Sequence, residues 1–217
     1  MQTHCIIVYR GRVEGAISGA RDQPAADAVL VAASAGGLNA LTSMLSGLPA
    51  DFPASVAIVQ HIEPHHRSML AEILGRSSKL PVVQAQDGQP FQGGAVHVAP
   101  PDHHLLVNAD GSLSLTRTEL VHFVRPSADL LFESGAASFG RRATGVVLTG
   151  TGSDGALGVE AIKRVGGTVI AQDEATSDFF GMPGAAIETG AVDFVLPLDQ
   201  IAEALVSLLA ERRGADG

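Results

Sequence analysis

Short apolar runs rich in β-branched residues recur along the chain: AVLVAA at 28–33, SVAIVQ at 55–60, TGVVLTG at 144–150, GTVIAQ at 167–172 and VDFVLP at 192–197. Each is apolar almost throughout, with no strict alternation, as strands are when both faces of their sheet are covered. Between them lie segments of helical periodicity near 38–47, 67–77, 129–140, 155–165 and 199–212. This alternation predicts an α/β fold: three layers, with a doubly wound, mostly parallel sheet between two layers of helices. The middle of the chain departs from it. AVHVAP (95–100), HHLLVNA (103–109) and SLSLTR (112–117) have no helix between them, and Asp110-Gly111 is a strong turn dipeptide. An antiparallel hairpin near residues 95–117 is therefore expected, inserted into the parallel sheet or attached to its edge.

Residues 1–27 carry no clear periodicity and end in the polar, small-residue stretch SGARDQPAAD. They read as an N-terminal extension, disordered or loosely docked, ahead of a single domain over 28–212 and a tail at 213–217. A length of 217 residues with 46% apolar composition suffices for one sizeable core and excludes intrinsic disorder. Fourteen Lys and Arg against 23 Asp and Glu give a net charge of −9, and no basic run exceeds two residues. That balance argues against nucleic acid or an anionic membrane as partner. No apolar stretch approaches the roughly 18 residues of a membrane span, and the arginines after the short N-terminal apolar patch are in the wrong order for a secretory signal. The lone cysteine, Cys5, forms no intramolecular disulfide or thiolate cluster and suits a reducing, cytoplasmic compartment.

Three stretches carry candidate chemistry. In VLVAASAGGLNAL an apolar strand runs straight into Ser34, then Gly36-Gly37, then a helix. A serine on such a turn exposes its hydroxyl above the sheet, beside helix-start amides that stabilise an oxyanion. The arrangement is that of a nucleophile elbow, with Ala32 where G-x-S-x-G has glycine; an ordinary helix N-cap reads the same way. In SVAIVQHIEPHH, His61 ends the next strand, so a parallel sheet brings it to the same carboxyl edge as Ser34, where open α/β sheets bind ligands. A histidine there is a natural base for a serine. His61 with His65 and His66 is also a conceivable zinc set, but Pro64 opposes the helix that an i, i+4 pair needs. Neither a metal nor a cofactor is expected. His103 and His104 read as the start of the hairpin, and His97 and His122 as ordinary strand or loop histidines.

The third stretch, TGVVLTGTGSDGALG, supplies Gly150, Gly152 and Gly155 as G-x-G-x-x-G between a strand and a helix, with Asp173-Glu174 about 20 residues on. That is a dinucleotide fingerprint in outline, and a nucleotide-binding oxidoreductase is the alternative it raises. Asp154, however, sits inside the loop where a carboxylate repels pyrophosphate. The same Asp154 serves as a group that orients a histidine. The order Ser34, His61, Asp154 puts each on a different strand end of one crevice and favours a serine hydrolase.

Over about residues 28–205 the chain resembles the catalytic domain of the bacterial chemotaxis protein-glutamate methylesterases. The stretches that carry the resemblance are ASAGG around Ser34, LPADFPA (48–54), VQHI (59–62), AQDGQP (85–90), VAPPDHH (98–104) and RPSADLLF (125–132), then VLTGTGSDGALG (147–158), AQDEATS (171–177) and FGMPGAAIETGAVD (180–193). It implies hydrolysis of γ-glutamyl methyl esters on chemoreceptors, with deamidation of receptor glutamines as a second activity, and no cofactor. It puts Ser34 at the nucleophile position, His61 at the base and Asp154 at the orienting carboxylate. Ala35, Gly36, Thr151 and Gly152 line the oxyanion side, and Gly181 and Met182 the substrate cleft. Ala35 replaces a usual threonine and Thr151 a usual methionine. The phospho-receiver domain that members carry N-terminally is not expected, since residues 1–27 are too short for it. A weakly active scaffold that retains the fold is the remaining alternative.

Overall fold

The computed structural model describes residues 27–62 and 68–215. In chain order the elements begin with β1 (Ala28–Ala33), α1 (Gly37–Gly47), β2 (Ser55–Gln60), α2 (Leu70–Gly75), β3 (Val82–Gln84) and β4 (Val96–Val98). Then come β5 (His104–Val107), β6 (Leu113–Thr116), α3 (Ala128–Phe139), a 3₁₀ turn, β7 (Ala143–Val147) and α4 (Ala156–Arg164). β8 (Thr168–Gln172), α5 (Gly181–Glu188), β9 (Phe194–Leu196) and α6 (Leu198–Ala215) complete the domain.

Seven strands form one parallel sheet in the order β3-β4-β2-β1-β7-β8-β9. The central strand β1 shows why its sequence lacks alternation. Ala28, Leu30 and Ala32 face one core with α3, α4 and α5, while Val29, Val31 and Ala33 face a second core with α1, α2 and α6. All six are fully buried, so both faces select apolar side chains. Because β2 and β7 flank β1, the chain winds away from β1 in both directions, and a crevice opens where the connections part.

The middle segment differs from expectation in one respect. The expected hairpin forms from β5 and β6 around Asp110-Gly111, but in a separate two-stranded sheet, while Val96–Val98 joins the parallel sheet between β2 and β3. The hairpin is neither inserted nor at the sheet's edge. It packs on α3, with Val107 N–H donating to Ser134 Oγ (3.1 Å) and Ser138 Oγ donating to Val107 C=O (2.9 Å). The short strand β3 and the helix α5 fall where no element is predicted, and α6 runs on to Ala215 past the expected end at 212. The N-terminal extension up to residue 26, including Cys5, lies outside the described residues, as do His65 and His66. No helix among the described residues is long and apolar enough to cross a membrane.

Candidate active site

Ser34, His61 and the loop after Val147 are the first residues beyond three adjacent strand ends. Pairing continues past the strands to hold them: Ser34 N–H donates to Thr149 C=O (3.0 Å) and His61 N–H to Ala33 C=O (3.1 Å). The serine turn is then locked from its carbonyl side. Ser34 C=O accepts Gly37 N–H (2.9 Å) and the Gln60 side-chain amide (2.7 Å). Gly36 has φ +77°, and a Cβ there would lie 2.7 Å from Asp178 Oδ2, so backbone and neighbour both require glycine. Ser34 is thus not a side-chain cap; α1 has no side-chain N-cap hydrogen bond, and the left-handed Gly36 takes that position. No protein acceptor among the described residues takes the N–H of Ala35 or Gly36, which leaves two donors on the turn.

His61 and Asp154 meet across the crevice, Nε2 to Oδ2 at 2.8 Å. Asp154 is buried, and α3 explains how its charge is tolerated there. Its carboxylate lies on the N-terminus of that helix, accepting Ala128 N–H (2.6 Å), Asp129 N–H (3.2 Å) and the Ser127 hydroxyl (2.8 Å). Burial by itself would push the carboxyl up, but the bonds from His61, the two helix amides and Ser127 outweigh it and hold its pKa below the ordinary aspartate range. Ser127 occupies the N-cap position of α3 yet bonds no amide of its own helix; its hydroxyl is spent on Asp154. A serine just after a proline and just before a helical run is the visible signal for that group. Its partner, in a loop 27 residues on, is not visible in the sequence.

The α3–α4 pair is reciprocal. Asp129, in the first turn of α3, accepts Gly155 N–H (3.0 Å) and Gly158 N–H (2.8 Å) at the start of α4. This corrects the reason for rejecting a dinucleotide. Asp154 does not lie in the glycine loop's anion position; its side chain turns away to α3, and the buried Asp129 carboxylate takes the amides a pyrophosphate would need. Asp173 is no ribose ligand either, since its carboxylate caps its own turn through Thr176 N–H (3.0 Å) and Oγ1 (2.6 Å). Asp129 is itself raised, first by burial and then by the Asp154 charge, although the Gly158 and Gly155 amides oppose this.

Gly150 sits between Ser34 and α5. A Cβ at 150 would lie 2.8 Å from Ser34 Cβ and 2.4 Å from Met182 Sδ. Met182 is buried beneath this contact, so it supports the turn from below and does not line the cleft. Gly181 is exposed and lies against the Gly150–Gly152 backbone, where a Cβ would come within 3.0 Å of Gly150 O and Gly152 N. Thr149, absent from the expected site, ties the segments together: its hydroxyl donates to Ala35 C=O (3.0 Å) and accepts Phe179 N–H (2.9 Å). Thr151 and Gly152 are exposed on the loop between Gly150 and Asp154. Among the described residues, no group of three or more His, Cys, Asp or Glu is arranged to hold a metal ion. His97 and His104 are buried; His104 Nδ1 accepts Ser127 N–H (3.1 Å) and its Nε2 donates to Glu119 C=O (3.0 Å).

The chain is similar to several known proteins. The family model for the CheB methylesterase matches residues 29–205. A protein-glutamate methylesterase/protein-glutamine glutaminase of Anaeromyxobacter dehalogenans is 48% identical over 182 residues, covering 84% of this chain and 53% of the relative. A namesake from Pyrococcus horikoshii is 43% identical over 194 residues, covering 88% and 53%. The chain therefore spans about half the length of the curated relatives it matches. The crystal structure of the Thermotoga maritima CheB methylesterase catalytic domain superposes with a TM-score of 0.82 at 38% identity, covering 84% of this chain and 98% of that one. With a family match across nearly the whole described domain and the same fold in a solved member, the chain belongs to the CheB methylesterase family.

Proposed function

We propose that this chain hydrolyses γ-glutamyl methyl esters of chemoreceptor-type proteins, with Ser34 as nucleophile, His61 as base and Asp154 as the group that orients it. The observation that carries the reading is the 2.8 Å pair between His61 Nε2 and a buried, helix-capping Asp154, beside the Ser34 turn. Asp154 keeps the proton on Nε2 and leaves Nδ1 as the basic nitrogen. Ser34 Oγ attacks the ester carbonyl as its proton passes to Nδ1. The carbonyl oxygen becomes an oxyanion that the free amides of Ala35 and Gly36 and the α1 dipole stabilise. The tetrahedral intermediate collapses, His61 returns the proton to the departing methoxide, and methanol leaves an acyl-enzyme. Water activated by His61 then attacks the acyl carbonyl and yields the glutamate and free Ser34. A primary amide is accepted by the same steps with ammonia as leaving group, so glutamine deamidation is the companion activity.

The test is methanol release from a chemoreceptor cytoplasmic fragment carrying methyl-esterified glutamates. Ser34→Ala is expected to lower the rate on the order of 10⁴-fold, since water held by His61 is a poorer nucleophile than the serine hydroxyl. A variant that keeps more than a tenth of wild-type turnover removes Ser34 from the mechanism.

A further inference from the structure

A cavity of about 330 Å³ adjoins His61 and is walled by Ile62, Asp102, Leu120, Phe123, Val124 and Arg125. Its outer wall is unusual. Val121 and Val124 exchange backbone hydrogen bonds (3.2 and 2.9 Å) around a two-residue turn, and both turn residues, His122 (φ 49°) and Phe123 (φ 65°), are left-handed. Glycine or asparagine ordinarily fills such positions. Here the turn instead holds a phenyl ring 94% exposed, with Leu120 beside it at 54%.

The base under this turn is firmly built. His122 Nε2 lies 3.3 Å from Asp129 Oδ2, tying the turn to α3. That oxygen makes no hydrogen bond of regular geometry. Arg125 donates from Nε to Asp102 (2.9 Å) and from Nη1 to Thr118 C=O (2.6 Å), while Arg117 reaches the other Asp102 oxygen at 3.0 Å. The two arginines are balanced by Asp102 and by the exposed Glu119 beside Leu120, so the apolar side chains stand in a charge-neutral rim.

We infer that Leu120 and Phe123 are a docking surface for the polypeptide that carries the glutamyl ester. They receive an apolar side chain next to the esterified residue. The inference rests on the proposed methylesterase reading. Two observations select this occupant. The surface is continuous with the wall formed by His61, so a polypeptide that delivers an ester to Ser34 passes over it. Its aromatic side chain stands almost fully exposed before anything binds, and burying such a ring is what anchors a docked polypeptide.

The experiment compares kcat/KM for the methylated receptor fragment with that for N-acetyl-glutamate γ-methyl ester amide, which has the ester and no flanking polypeptide. Phe123→Ala is expected to lower the ratio of the two at least tenfold, through KM for the fragment, with Phe123→Trp restoring it and Phe123→Asp lowering it further. An unchanged ratio overturns the docking surface, whether both substrates slow together or neither slows. A dimer that Phe123→Ala dissociates in sedimentation, with the ratio unchanged, assigns the surface to a second copy and overturns it too. Should the wild type release methanol from neither substrate, the methylesterase reading itself fails, and the docking assignment with it.

Discussion

Asp154 shows how much one side chain is asked to do. It satisfies helix amides of α3, accepts a serine hydroxyl and hydrogen-bonds His61, all from a buried position. Asp154→Asn keeps the size and loses the charge, so the amide can present its NH₂ to His61 and fix the wrong tautomer. Methanol release is expected to fall on the order of 10²- to 10⁴-fold; turnover within threefold of wild type would assign the carboxylate a purely structural role. The same variant has a stability signature. A carboxyl whose folded pKa is depressed contributes stability above its unfolded value of 3.8, and that contribution is lost as pH falls through the lower folded value. The wild type is therefore expected to exceed Asp154→Asn by about 1–3 kcal/mol at neutral pH, a gap that closes below that value in urea titrations.

At the scale of elements, the decisive feature is the exchange of caps between α3 and α4. Each helix start is satisfied by a carboxylate belonging to the other's segment, so neither needs a local capping side chain, and the two helices fix each other's register. Asp129→Ala leaves two buried amides of α4 without an acceptor and is expected to cost about 2–4 kcal/mol in urea unfolding. Asp129→Asn retains an oxygen for both amides and removes a buried charge whose pKa is raised, so most of the loss should be recovered. Equal losses in the two variants would show that capping is not what Asp129 contributes. The helix periodicity of both segments is legible in the sequence, but this exchange is not. The partners lie 25 to 29 residues apart along the chain, and an acidic residue in a first turn looks the same whether it caps its own helix or another.

The whole molecule has a pH response set by its buried histidines. His97, on β4, packs edge-on against Phe91 (centroids 5.6 Å apart), and neither ring nitrogen has a hydrogen-bond partner. Burial lowers its pKa, and burial likewise lowers that of His104 despite the Glu119 carbonyl. The unfolded chain then binds protons near pH 6.5 that the folded chain refuses, so stability rises with pH between the lowered folded values and 6.5. Each histidine contributes a slope of up to about 1.4 kcal/mol per pH unit in that window. His97→Leu is expected to flatten the fall in thermal midpoint on acidification from pH 6.5 to 5; an unaltered slope would remove His97 from the response.

The sequence by itself determined the parallel, doubly covered sheet, because strands buried on both faces must be apolar at every position, and β1 and β2 carry that signature from end to end. It also determined Ser34, His61 and Asp154 as candidates, since each follows a strand and a parallel sheet brings its strand ends to one edge. What lay beyond it was everything that depends on which elements become neighbours. Residues 95–117 divided between two sheets because a three-residue strand such as β4 has too little pattern to announce its partners. Met182 sits in the same motif as Gly181, yet its side chain packs under Gly150, because only the tertiary packing of α5 decides which side of the turn it meets. Likewise a loop phenylalanine reads as an ordinary apolar residue, and only the left-handed turn at 122–123 holds it outward beside His61. Local pattern encodes burial and period; the pairing of caps, carboxylates and side chains across the crevice is decided when the helices dock on the sheet.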